Sequence, residues 1–95
     1  MVEQDNQVCW RDDIEALAFR PEDHGGLCMV HRLAFRTLLG FGPAPEDCQA
    51  FFRAHERAFH AAARDRITRD GVADGANFHL NSREVGRRIA GRPVP

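Results

Sequence analysis

The sequence predicts an α+β domain, a small antiparallel sheet packed against one long and two short helices. Three observations lead there. Two short apolar segments, IEALAFR (14–20) and LCMVHR (27–32), flank PEDHGG, whose proline and paired glycines supply the backbone constraints of a turn, so the pair reads as a β-hairpin. A long stretch with helical periodicity begins at Pro45. A short alternating segment, ANFHL (76–80), then returns to strand character ahead of a capped last helix.

Each element has a local cause. Val8, Cys9 and Trp10 suit a strand and are stopped by Arg11-Asp12-Asp13, so an extra edge strand is expected at the amino-terminal side of the hairpin. From Arg32 to Leu39, Leu33, Thr37 and Leu38 recur at helical spacing, and Gly40 can close the turn. GFGPAP (40–45) then forbids continuation, because glycine and proline both interrupt a helix. Pro45 suits the first position of the next helix, where Glu46 and Asp47 complement the amino-terminal dipole. After the DGVADG loop and the ANFHL strand, Asn81-Ser82-Arg83-Glu84 resembles a capping box. Val85 and Ile89 then give a narrow apolar stripe, ended by Gly91 and Pro93.

Within the long helix, expected from Pro45 to about Arg69, residues 55 to 60 read HERAFH, one residue removed from the zinc-protease motif H-E-x-x-H. That residue matters. Histidines four apart on a helix differ by about 40° around the axis, whereas His55 and His60, five apart, differ by about 140° and cannot share a metal on an unbroken helix. Projection at about 100° per residue gathers Cys48, Phe51, Phe52, His55, Phe59, Ala62 and Ala63 into the core face. Arg53, Arg57, His60 and Arg64 fall opposite. His55 is thus expected to look inward and His60 outward.

Ninety-five residues make one domain with one core, with 1–7 and 92–95 expected to be flexible ends. At 43% hydrophobic and 28% charged, with net charge −1, the chain reads as an ordinary globular protein with no implied polyanionic partner. No apolar run approaches the roughly 20 residues of a spanning helix, and MVEQDNQ has no basic or apolar leader character, so a cytoplasmic protein is expected, with no membrane partner. Three cysteines (Cys9, Cys28, Cys48), without a C-x-x-C pair, fit neither a disulfide framework nor a zinc ribbon. Residues 1–47 carry net −5 and residues 48–95 net +4, a polarity that suits self-association. All thirteen basic residues are arginine, which a GC-rich bacterial genome produces as easily as a functional need for guanidinium.

The strings ALAF, LCMVHRLAFRTLL, CQAFFRAHERAFHAAARDR and FHLNSREV, in this order, resemble the domain-of-unknown-function 1488 family of small bacterial proteins, over residues 8 to 90. The resemblance implies a compact α+β domain. It implies no activity and no catalytic residues.

The candidate sites follow from these placements. Arg53, Arg57, His60 and Arg64 form a possible anion-binding ridge, since guanidinium forks match phosphate oxygens. Glu56, Asp65 and Asp70 interrupt it, and no aromatics lie beside it for base stacking, so nucleic-acid binding is an alternative reading and not the first. Cys28 and His31 point to opposite faces of a strand, which leaves a metal site only as a composite with Cys48, His24 and His79. Ser82 is explained by a helix start, and buried Cys28 and Cys48 are expected to be inert, so no enzyme and no cofactor are expected. A non-catalytic homo-oligomeric interaction module, most simply a homodimer, is the reading that remains, with an unidentified protein as the other possible partner. A small sheet leaves edges and faces that a second copy can cover. Trp10, Met29, Phe41 and Phe78 are the apolar residues expected at such an interface.

Overall fold

A computed structural model of the chain describes residues 8–90; the expected flexible ends, 1–7 and 92–95, lie outside the described residues. Four strands and four helices run in the order β1 (Val8–Arg11), β2 (Ala16–Phe19), β3 (Cys28–His31), α1 (Arg32–Leu39), α2 (Pro45–Ala54), α3 (Glu56–Asp70), β4 (Phe78–Leu80) and α4 (Ser82–Ala90). The α+β class is as expected. The sheet order is β1-β2-β3-β4, with the first two pairings antiparallel and β3–β4 parallel, so the sheet is mixed rather than antiparallel. The physical reason is the connection: β4 follows three helices that carry the chain back across the sheet, a crossover that permits parallel entry where a hairpin cannot.

The register sets the faces. Val8 pairs with Phe19, Phe19 with Cys28 and Cys28 with Phe78, while Leu17 pairs with Val30 and Val30 with Leu80, so one face of all four strands is apolar. The helices pack on it, burying Phe35 from α1, Cys48 and Phe52 from α2, Phe59, Ala62 and Ala63 from α3 and Val85 from α4. The rings of Phe19, Phe52 and Phe59 meet at 5.0 to 6.2 Å, and Phe35 stacks on Phe59 at 5.8 Å. The opposite face buries a smaller cluster of Ala16, Ala18 and Met29.

Caps close the helices where the sequence asks for them. His31 Nδ1 accepts the Leu33 N–H at 3.0 Å to start α1, and Gly40, at φ 87°, ends it in the left-handed region. At α4 the capping box is reciprocal: the Glu84 N–H donates to Asn81 Oδ1 at 2.8 Å and the Asn81 N–H to Glu84 Oε1 at 2.9 Å. Glu84 also holds α3. Arg66 Nη1 reaches both its oxygens at 2.8 Å and Arg69 Nη2 one of them at 2.8 Å, while Arg88 grips Asp65 through two bonds of 2.8 Å.

The expected continuous helix from Pro45 to Arg69 is two helices. His55, at φ −128° and ψ 32°, leaves helical geometry, its N–H shared between the Phe51 and Phe52 carbonyls at 3.1 Å each. Neither glycine nor proline marks the break, so periodicity ran through it. The core face nonetheless continues beyond the break as projected, with Phe59, Ala62 and Ala63 buried.

Candidate functional site

Three adjoining concavities lie between the chain leaving β2 and the ridge of α2 and α3, with volumes of about 480, 570 and 230 Å³. All three share Glu22 and His60. The cleft has one wall of loop and one of helix, and each is fixed by a different cause.

The loop wall is pinned from behind. His24 is buried, its Nε2–H donating to the Ala76 carbonyl at 2.8 Å and its ring edge-on to Phe78 at 5.5 Å. The Gly25 N–H donates to Asp74 Oδ1 at 2.7 Å and the Leu27 N–H to Asn77 Oδ1 at 2.8 Å. Gly26 allows this approach, because a Cβ there would stand 2.3 Å from the Ala76 carbonyl oxygen. HGG therefore belongs to a latch against residues 74–77, beyond the turn that its glycines announced. With Arg20 Nη1 closing the loop on the Gly25 carbonyl at 2.6 Å, Glu22 and Asp23 are left lining the cleft.

The helix wall is the ridge. Arg53 lines the first concavity, Arg57 the second, and Arg64 the second and third, so the structure does bring Arg53, Arg57, His60 and Arg64 to one cleft. Sequence reasoning placed Glu56 in the ridge but missed Glu22 and Asp23, which share the cleft. Glu56 sits among the arginines, Glu22 and Asp23 face them, and Arg64 Nη2 lies 3.5 Å from Glu22 Oε1. Both members of that pair are about two-thirds exposed, which leaves it weak and displaceable. The cleft is bipolar, with Phe19 and Phe52 as its apolar floor.

Both histidines are half-buried, so His60 does not look outward as projected. His60 packs edge-on to Phe19 at 5.1 Å and tilted to Phe52 at 6.4 Å, and its Nδ1 is buried with no hydrogen-bond partner. His55 lies at the helix junction, half-buried, with its ring 4.6 Å from Phe51. A buried lone pair is tolerated better than a buried unpaired N–H, so the neutral tautomer of His60 that fits carries its proton on Nε2.

The remaining expected sites are dispersed. Of the four interface candidates, Phe78 and Met29 are buried within the chain, and Trp10 is half-buried with its Nε1–H on Asp12 Oδ1 at 2.8 Å. Phe41 is half-exposed, at 51%. Leu33, at 60%, and Ile14 are exposed apolar side chains that sequence reasoning did not single out; Leu33 lines a groove of about 390 Å³ with His31, Ala34, Thr37 and Leu80. The composite metal set does not assemble: among the described residues no three His, Cys, Asp or Glu side chains converge. Cys28 faces the core, His31 caps α1, His24 is held by the latch and His79 is exposed.

Burial pushes the Cys28 thiol far above its ordinary range and the Cys48 thiol up to about 11, so neither supplies a thiolate near neutral pH. Ser82 opens α4, as expected. No described helix is long and apolar enough to cross a membrane. Comparison with family models, with curated proteins and with solved structures finds no match to this chain.

Proposed function

We propose that this domain is a non-catalytic binding module that takes a small charged ligand into the cleft around His60. The observation that carries the reading is convergence: three adjoining concavities share His60 and Glu22, beneath three arginines whose charges are at most loosely paired. A concave site with an apolar floor and a few polar groups is how small ligands are held. The high thiol values of Cys28 and Cys48 favour binding over catalysis. The facing carboxylates disfavour an extended phosphate backbone, which needs a positive track.

Saturation-transfer NMR of the full chain with inorganic phosphate, acetate, ethylammonium and glycine tests the proposal. Saturable transfer to at least one probe, lost in the triple variant Arg53→Gln, Arg57→Gln, Arg64→Gln, supports it. No saturable transfer to any probe refutes it.

Self-association is a second reading, favoured by the exposure of Leu33 and Phe41 at the two ends of α1. It places the copy-to-copy contact on α1, away from the cleft. The Cys28 side of the sheet is already covered by helices.

A further inference from the structure

Resting on the reading of the His60 cleft as a ligand site, we infer that its ligand is a small zwitterion. Such a ligand carries a carboxylate and an ammonium group joined by a short apolar part, the chemistry of a free amino acid or short peptide. The argument is the charge pattern of the cleft. An anion site gathers donors and excludes carboxylates, because each carboxylate near the bound anion weakens it. Here acid and base are mixed on purpose of geometry: Arg53 and Arg57 make no ion pair among the described residues, and neither do Asp23 and Glu56. All four line the cleft.

Unpaired charges of both signs around one concavity are satisfied together by a ligand with both signs. A guanidinium takes a carboxylate through two parallel N–H donors, and Glu22, Asp23 and Glu56 offer only acceptors, which suits an ammonium. Phe19 and Phe52 lie behind the cleft, and the half-buried Val8 beside them gives the link between the two charges an apolar contact. His60 completes the set. With Nδ1 buried and unpaired, Nε2 is the ring nitrogen left to meet a ligand in the cleft that His60 lines. Glu22 already lies against Arg64, so a ligand carboxylate takes over an arginine that an internal carboxylate holds only loosely.

Titration calorimetry of the full chain with leucine, N-acetylleucine and leucinamide separates the charges while keeping the side chain. Leucine should bind at least about tenfold tighter than either blocked form, one charged contact being on the order of a tenfold change. Glu22→Gln should weaken leucine and leucinamide and leave N-acetylleucine unchanged or tighter. Arg57→Gln should weaken leucine and N-acetylleucine and leave leucinamide unchanged. Both substitutions lie on exposed positions, and circular dichroism checks that the fold is kept. N-acetylleucine binding as tightly as leucine would overturn the zwitterion and leave the ligand cleft standing. Heat from none of the three, together with no transfer from the four small probes, would overturn both.

Discussion

Gly26 shows how one side chain fixes the site. A methyl group there would meet the Ala76 carbonyl at 2.3 Å, backbone that cannot yield without opening the latch to residues 74–77. Gly26→Ala should therefore cost about 1–3 kcal/mol in chemical denaturation, the usual cost of forced overpacking, and should weaken ligand binding with it. His60 should behave in the opposite way. Its ring packs on Phe19 and Phe52 while its Nδ1 goes unpaired, so His60→Phe keeps the packing and removes the orphaned atom. The fold should gain about 1 kcal/mol, since an unsatisfied buried polar group costs about 1–3 kcal/mol, and ligand binding should weaken. A loss of stability in His60→Phe would show that His60 is held for structure instead.

At the scale of elements, α3 and α4 are joined through Glu84. Burial pushes its carboxyl up, but the Asn81 N–H and the Arg69 and Arg66 guanidiniums more than offset this, leaving it below its ordinary 4.5. A carboxyl depressed in the folded state contributes stability above its unfolded value and loses it as pH falls through the folded one. The thermal midpoint should thus fall as pH is lowered below about 4.5, and Glu84→Gln should flatten that fall while costing about 1–3 kcal/mol near neutral pH. The ties from Glu84 to Arg66 and Arg69, 15 to 18 residues away, were not legible in the sequence, whereas the capping box was, because Asn-Ser-Arg-Glu is a local pattern with a local cause. So were the hairpin, the edge strand and α1, whose turns and caps lie within a few residues. The parallel entry of β4 was not, since strand order is decided by contacts dozens of residues apart. The break at His55 was not legible either. Projection sent His60 outward, whereas its ring packs on Phe19 and Phe52, a contact across to the sheet that helical periodicity alone does not carry. The acidic wall was hidden for a related reason: Glu22 and Asp23 look like turn residues until the latch fixes the loop opposite α3.

For the whole molecule, the two charge-bearing halves of the sequence meet at the cleft. Glu22 and Asp23 come from the acidic half and Arg53, Arg57 and Arg64 from the basic half, so part of the charge asymmetry is spent inside one chain. The self-association reading then rests on apolar contact at α1. Light scattering should give a mass near twice 10.7 kDa at micromolar concentration, reverting to the single-chain mass in Leu33→Glu with Phe41→Ser. A single-chain mass for the unaltered protein removes self-association and leaves the cleft untouched. The central claim concerns the cleft, and the most direct measurement is an amide chemical-shift map of the ¹⁵N-labelled full chain titrated with leucine. Saturable shifts concentrated at residues 20–24 and 52–64, with the α1 groove at 31–37 unmoved, are the predicted result. Shifts confined to the α1 groove, or none with leucine or with any of the four small probes, would contradict it.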